Sequence, residues 1–182
     1  MEIRILEPCD QHLIYPEVLE LLQLADGEFV PPLSSRTSTT QADLSGGAAQ
    51  QDGVGAYFEE LKSQRFAAAM EDGRLLGFVS YRENETGPHI PPQELPNIYI
   101  STLIVHPKFR GRGITTALYE HLFSCYEGRR VFTRTWSQNA AHIKILERFG
   151  FLVTARLPDH RGPGIDTLYF EKVAFSTKKS KK

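Results

Sequence analysis

Residues 105–116, VHPKFRGRGITT, constrain the fold more than any other part of the chain. The β-branched run at 98–105 before them predicts a strand, and the apolar spacing at 114–126 predicts a helix. A strand must therefore pass into a helix through a turn that contains two glycines. This order is typical of α/β proteins, in which a covering helix follows a strand of the sheet.

The rest of the chain predicts further strands and helices in a mixed arrangement. Helices are predicted at 13–25, 54–64 and 139–149, and strands at 66–70, 75–81, 131–136, 151–157 and 167–173. Asp72 and Gly73 form a hairpin signal between the first two strands. Hairpins indicate antiparallel pairs and strand–helix–strand alternation indicates parallel ones, so we expect an α/β fold with a mixed sheet.

Length and composition favour one domain over residues 1–175. A chain of 182 residues with 41% hydrophobic residues can bury one sizeable core. Residues 34–53 are polar and lack an apolar period, which predicts a long loop that is either a lid or a disordered insertion. The lysine-rich residues 176–182 are expected to form a disordered tail.

Charge and cysteine content exclude several classes of protein. With 21 Lys and Arg against 22 Asp and Glu, the net charge is −1, so a nucleic-acid partner is not expected. Cys9 and Cys125 alone build neither a disulfide framework nor a zinc site, and no metal is predicted. No apolar run reaches the roughly 20 residues of a membrane span. We therefore expect a cytoplasmic protein without a membrane partner.

Residues 110–113, RGRG, open the predicted helix and suggest a phosphate site. The first turn of a helix has free backbone N–H groups, glycine lets a ligand approach them, and arginine adds phosphate donors. The alternative is an ordinary turn with arginines in solvent. Two known phosphate loops are excluded, because Ile114 follows Gly113 where a Walker A loop has lysine, and Thr116 replaces the third glycine of a dinucleotide fingerprint.

The same segment resembles the cofactor motif of the GNAT N-acetyltransferase superfamily. In that motif a strand ends in V-x-P, and Q/R-x-x-G-x-G/A then opens a helix. Val105, Pro107, Arg110 and Gly113 match it. Thr115 departs from the pattern, since glycine or alanine is usual there.

A second segment supports this resemblance. Residues 139–151, NAAHIKILERFGF, are similar to the family's N…(L/Y)-E-K-x-G-F segment. The resemblance covers residues 66–173. It implies a mixed, mostly antiparallel sheet with two central, splayed parallel strands flanked by helices.

The resemblance also implies acetyl-CoA as co-substrate and a primary amine of a small molecule or protein as acceptor. The cofactor would lie between the strands that end near Val105 and Trp136. The residues implied to bind it are Leu103, Ile104, Val105, Arg110, Gly111, Arg112, Gly113, Ile114, Thr115, Thr116 and Asn139. The oligomeric state stays open and includes a homodimer.

The family's usual acid and base are missing from this sequence. The helix position that often carries a tyrosine acid holds Leu146, and the strand positions near a frequent glutamate base hold Ser101 and Thr102. Protons must therefore move through water or another residue, or catalysis depends mainly on positioning.

Two residues are the catalytic candidates. His142 shares a helical face with Asn139 and Leu146, and histidine can act as acid or base near neutral pH. Glu28 follows the first helix, in a region that borders the acceptor site in the family. The alternative for His142 is a capping or partly buried histidine without a catalytic role. The alternative for Glu28 is a solvated residue at the end of a helix.

Four further residues are candidates for binding the acceptor. Asp26 would hold a cationic amine, whereas Arg36 would hold an acidic acceptor. Tyr81 would supply a phenol to the cleft, and Arg161 would face the acceptor from a loop. Each of the four also has an alternative without a binding role. Asp26 would be a solvated residue at a helix end, and Arg36 would lie on the surface. Tyr81 would be a core residue, and Arg161 would be a charged residue in a turn.

Two other functions remain open at this stage. An acyl-CoA-binding or sensing domain with little catalysis is one, because the tyrosine acid is missing. An acetyltransferase acting on aminoacylated RNA is the other.

Overall fold

The computed structural model describes residues 1–7, 9–45, 53–94 and 96–174. They form one seven-stranded sheet in the order β1-β2-β3-β4-β5-β7-β6. The strands are β1 Glu2–Leu6, β2 Arg65–Glu71, β3 Arg74–Glu83, β4 Asn97–Val105, β5 Arg130–Trp136, β6 Leu152–Leu157 and β7 Thr167–Val173. The α-helices are α1 Tyr15–Ala25, α2 Gly55–Leu61, α3 Ile114–Cys125 and α4 Ala140–Arg148. Only β4 and β5 pair in parallel, which confirms the mixed, mostly antiparallel sheet.

The sequence interpretation missed the first strand. Residues Glu2–Leu6 pair antiparallel with Phe66–Met70 of β2. Ile3 and Ile5 pack against the core, while Glu2 and Arg4 are exposed. This two-residue period marks a half-buried strand, but five residues are too few to distinguish it from a charged terminus without the partner strand.

The predicted long loop is partly structured. Within residues 34–45, the side chains of Ser34, Arg36, Thr39 and Leu44 are buried. The lid and insertion alternatives for residues 46–52, and the predicted tail at 176–182, lie outside the described residues.

The sheet is buried on both faces, and alternate residues of β2 show it. Ala67 and Ala69 belong to a core that includes Leu118 of α3, whereas Phe66 and Ala68 belong to a second core shared with α1 and α2. Since both faces are apolar, the central strands are continuous hydrophobic runs.

The parallel pair separates early. Residues 97–100 of β4 pair with 130–133 of β5, and the strands have no paired residues beyond Ile100 and Thr133. On the other side of β4, Ser80 pairs with Thr102 and Tyr81 with Ile100, so Ser101 is an extra, bulged residue. A bulge bends and twists its strand. The ends of β4 and β5 therefore diverge, as the resemblance implied.

Gly77 keeps β3 close to the diverging part of β4. A Cβ at this position would lie 2.7 Å from the Ile104 carbonyl oxygen and 3.0 Å from the Val105 Cα atom. Because both neighbours are backbone atoms, Gly77→Ala must push the strands apart. We expect a loss of about 1–3 kcal/mol in the free energy of unfolding, measured by urea denaturation.

Gly87→Ala is the control for this prediction. A Cβ there meets nothing within 4 Å, so the substitution should have little effect on stability. Equal stability of Gly77→Ala and the wild type would contradict the close contact.

Candidate functional site

The diverging strand ends border a cavity of about 310 Å³. It is lined by residues 100–105 of β4, residues 133–136 of β5, Asn139 and one face of α4. A second cavity of about 240 Å³ lies at the start of α3. Val105, Arg110, Thr115 and Ile145 line both cavities. One cleft therefore runs from the parting strands to the N-terminus of α3.

The turn before α3 has the geometry of an anion cradle. Gly111 has φ +79° and Gly113, the N-cap residue, has φ +75°, in the left-handed region that glycine adopts without strain. Gly113 has no side chain with which to cap the first turn of α3. The amides there are accessible from the second cavity, and the helix dipole favours negative charge at this end. This arrangement suits a diphosphate.

The two arginines of the turn differ in position. Arg110 lines both cavities and forms a two-pronged ion pair with Glu28, with both N–O distances 2.9 Å. Arg112 forms an ion pair with Glu71 at 2.7 Å and lowers the pKa of that carboxyl group. Its side chain lines neither cavity, because it is held at the β2 end. Of these two arginines, Arg110 is the one placed to add a side-chain donor to the cradle.

The remaining predicted cofactor contacts are mostly backbone groups. The side chain of Ile114 is buried in the core, and the Thr116 hydroxyl accepts a hydrogen bond from Arg148 at 2.6 Å. Both residues line the second cavity. Leu103, Ile104 and Val105 line the first one, along an edge of β4 that β5 no longer covers. That edge can bind an extended molecule as a further strand would.

Asn139 lines the cavity and caps α4. Its Oδ1 accepts from the His142 backbone N–H at 3.3 Å, and its Nδ2 donates to the Thr135 hydroxyl at 3.1 Å. These bonds fix the amide, which retains one donor and one lone pair.

The two predicted carboxylates are both engaged. Glu28 lines the cavity but is paired with Arg110. Asp26 accepts hydrogen bonds from the backbone N–H and hydroxyl of Ser34 at 2.7 and 2.9 Å and does not line the cavity. Asp26 thus closes the loop between residues 26 and 34, and the structure gives no support for an acceptor contact.

Tyr81 is a core residue in the structure, and the expectation of a phenol in the cleft is wrong. Its side chain is fully buried, and its hydroxyl lies 3.0 Å from that of Tyr126, away from the cavity. Burial raises the pKa of Tyr81. The position follows from strand alternation, which turns this side chain towards the α3 face.

Arg36 and Arg161 are buried behind two aromatic rings. The guanidinium carbon of Arg36 lies 5.5 Å from the Phe29 ring centroid, and that of Arg161 lies 5.8 Å from the Trp136 ring centroid. Phe29 and Trp136 line the cavity, and their ring centroids lie 5.7 Å apart. Sequence reasoning missed both rings, although the single tryptophan at the end of a predicted strand was an available signal.

His142 lines the cavity, as its helical position predicted, but it is a weak base. Its Nε2 lies 2.7 Å from the hydroxyl of Tyr119, which sequence reasoning also missed. Burial lowers the pKa of His142 to about 4. The imidazole is therefore neutral at pH 7 and poorly matched to an ammonium group with a pKa of about 10.

Two hydroxyls lie where β4 bends. Thr102 is 2.7 Å from the buried Tyr57 hydroxyl, and Ser101 donates to the Gln64 side-chain oxygen. Both residues line the cavity. They offer polar groups that can order water beside a reacting amine.

Within the described ranges, no group of three or more histidine, cysteine, aspartate or glutamate residues could hold a metal ion. Among the same residues, no helix has the length and apolar character to cross a bilayer.

Comparisons with known proteins agree with this geometry. The family described as Acetyltransferase (GNAT) family matches residues 21–151, and the chain belongs to this family. This confirms the family named from the cofactor motif. The comparison with curated proteins finds no match.

Solved structures show the same fold over almost the whole chain. Aminoglycoside 6'-acetyltransferase type Ii is 17% identical with a TM-score of 0.66, over 96% of this chain and 98% of that one. The smu.2055 protein of Streptococcus mutans is 18% identical with a TM-score of 0.64, over 96% and 99%. The yncA protein of Salmonella typhimurium, solved with its cofactor acetyl-CoA, is 19% identical with a TM-score of 0.59, over 96% and 94%.

Gly113→Val tests the cradle. The valine would strain the left-handed turn and place methyl groups where the amides meet the ligand. We expect at least about a tenfold loss of acetyl-CoA affinity by isothermal titration calorimetry, which corresponds to about 1.4 kcal/mol.

Gly73→Val is a matched control, because Gly73 also has φ +75° and a Cβ there also meets nothing within 4 Å. It lies in the β2–β3 turn and should carry the strain without the loss of affinity. Equal loss in both variants, or none in either, would refute a specific role for the turn before α3.

The depressed pKa of His142 predicts how stability depends on pH. The unfolded chain binds a proton on this residue below about pH 6.5, whereas the folded chain does so only near pH 4. Stability must therefore fall as the pH drops through this window, by at most about 3 kcal/mol from this group.

His142→Gln should remove this loss, and urea denaturation at pH 7 and pH 4.5 measures it. The difference between the two pH values should be smaller in the variant than in the wild type. His12→Gln, at an exposed position, controls for the loss of an imidazole. An unchanged difference in His142→Gln would show that His142 is not held neutral.

Proposed function

We propose that the chain transfers an acetyl group from acetyl-CoA to a primary amine of a small molecule or a protein. The observation that carries this proposal is the continuity of two features. The uncovered edge of β4 leads directly to an uncapped, glycine-containing helix start. Acetyl-CoA combines an extended arm with a diphosphate, so its shape and charge suit this cleft. A cytoplasmic location and a single domain over residues 1–175 belong to the same proposal.

The binding residues divide by chemistry. Backbone amides of residues 111–116 and the Arg110 side chain would hold the diphosphate. Backbone groups of residues 103–105 and the fixed amide of Asn139 would hold the arm. Arg112 would act through its backbone, since its guanidinium is paired with Glu71.

Acetyl-CoA supplies an acetyl group activated as a thioester. The reaction joins the amine nitrogen to the acetyl carbon, breaks the carbon–sulfur bond and releases the CoA thiol and a proton. No nucleophilic cysteine is required, and Cys9 and Cys125 are exposed and outside the cavity. A backbone N–H on the uncovered edge of β4 would polarise the acetyl carbonyl, as an oxyanion hole does.

The proton must leave the amine before the attack. Glu28 would accept the ammonium or its proton once Arg110 turns from this carboxylate to a phosphate. Water held by Ser101 and Thr102 would carry the proton away. His142 would act as a neutral hydrogen-bonding group, because its pKa of about 4 leaves it uncharged at pH 7.

Acceptor-dependent release of CoA thiol tests the proposal. We expect the purified chain, supplied with acetyl-CoA and a panel of primary amines, to release thiol and to yield an acceptor heavier by one acetyl group. Gly113→Val should lower kcat/KM in the same assay. Mass spectrometry of the acceptor excludes simple hydrolysis.

Two results would replace the proposal. Tight acetyl-CoA binding without turnover of any amine would favour a sensing domain. Turnover confined to aminoacylated RNA, with binding that weakens as salt rises, would favour the RNA-linked function.

A further inference from the structure

Three arginines from distant parts of the chain gather behind the cavity. Arg36 follows α1, Arg134 lies in β5, and Arg161 lies between β6 and β7. Arg36 is 7% exposed and Arg161 is 5% exposed. Arg134 is half-buried and lines the cavity itself.

Among the described residues, the two buried arginines, Arg36 and Arg161, donate hydrogen bonds to neutral groups. Arg36 donates to the Pro31 carbonyl oxygen from Nε at 3.0 Å and from Nη2 at 2.6 Å. Arg161 donates to the adjacent Val30 carbonyl oxygen and, at 2.9 Å, to the Thr167 hydroxyl. The two guanidinium groups therefore donate to neighbouring carbonyl oxygens of one segment, Arg161 to that of Val30 and Arg36 to that of Pro31.

Arg134 is held in the same way. It donates to the carbonyl oxygens of Thr39 and Gln41 at 3.0 Å each and to the Tyr169 hydroxyl at 3.2 Å. Such bonds orient a guanidinium group but do not cancel its charge.

The contrast with the cradle is informative. Arg110 and Arg112 are both exposed, and each is paired with a glutamate. Across the described part of the chain, no ion pair with a carboxylate is found for any of the three clustered arginines. The two arginines of the cradle are thus paired with carboxylates, whereas the clustered arginines are bonded to neutral groups.

The charge of Arg36 and of Arg161 is unfavourable in this arrangement without a ligand, whereas Tyr99 and Tyr169 raise the pKa of Arg134 despite its burial. Burial, reinforced by Arg36 and Arg134, lowers the pKa of Arg161 to about 9. Burial also lowers the pKa of Arg36, with a further contribution from Arg134. Buried charges of like sign destabilise a protein unless a counter-charge binds between them.

The cluster borders the cavity at the point where β4 and β5 part. Arg134 follows Thr133, the last β5 residue paired with β4. Phe29 and Trp136, against which Arg36 and Arg161 pack, line the same cavity. The phosphate cradle lies at the other end of the cleft, beyond Val105, so this positive charge is separate from it.

We propose that the acceptor is an amine that also carries an anionic group, a carboxylate or a phosphate ester, and that Arg134 binds this group with Arg36 and Arg161 behind it. The inference rests on the proposed acetyl transfer. Guanidinium groups bind carboxylate and phosphate oxygens in pairs, which gives direction as well as charge. The same cluster disfavours polycationic acceptors.

Matched acceptors test the charge requirement. The panel contains amino acids, each with its carboxamide, and O-phosphoethanolamine with ethanolamine. We expect kcat/KM for thiol release to be about 10-fold to 100-fold higher for the anionic member of at least one kind of pair. Preference within the amino-acid pairs identifies a carboxylate, and preference within the ethanolamine pair identifies a phosphate. Equal or better use of the neutral members would overturn the proposal.

Arg134→Gln tests whether Arg134 recognises the anionic group of the acceptor or has only a structural role. We expect KM for the anionic acceptor to rise about tenfold or more, with a much smaller change in KM for its neutral partner. Arg134→Lys should restore part of the preference. Arg4→Gln removes the same charge at an exposed site of β1 and should change nothing. An equal loss for both members of a pair would assign Arg134 a structural role and overturn the proposal.

A binding measurement separates this inference from the proposed function. Inorganic phosphate, acetate and N-acetylated amino acids should raise the melting temperature of the wild type more than that of Arg134→Gln. If this shift is present but no amine is acetylated, the anion site stands and the transfer reaction fails. If amines are acetylated without any such shift and without preference for anionic acceptors, the reaction stands and the anion site fails.

Discussion

The early separation of β4 from β5 is the constraint on which the site depends. Two parallel strands normally stay hydrogen-bonded along their length, but here pairing stops at Ile100 and Thr133. The bulge at Ser101 turns β4 away, and α3 and α4 cover the sheet on one side. The result is an uncovered strand edge inside a well-packed domain, a feature that a soluble fold tolerates only if a ligand or water pairs with it.

Positive charge lies at both ends of the cleft. The helix start and Arg110 provide positive potential at one end, and the three clustered arginines provide it at the other. Glu28 offsets the charge of Arg110 while the two are paired, and Asp26 closes a loop, so neither carboxylate is paired with the three clustered arginines. The chain therefore combines the fold of the acetyltransferase (GNAT) family with a second positively charged region at the far end of the cleft.

The features best predicted from the sequence are those that depend on residues adjacent in the chain. The cradle is contiguous, so its glycines, its helix and its family could all be read from one segment. Contacts over long sequence distances could not be predicted. Arg36 and Arg161 were separate candidates, but their proximity to each other and to Arg134 depends on how a loop, a turn and a strand pack. For the same reason the contact between His142 and Tyr119 was missed, and Tyr81 was expected in the cleft rather than in the core.

The central claim is that the uncovered edge of β4 and the start of α3 bind acetyl-CoA together. Amide hydrogen exchange, followed residue by residue with and without acetyl-CoA, measures this directly. The account predicts slower exchange in two segments at once, residues 101–105 and residues 111–116, with little change in β1 and β6. Protection of neither segment at saturating acetyl-CoA, or protection confined to another surface, would contradict it.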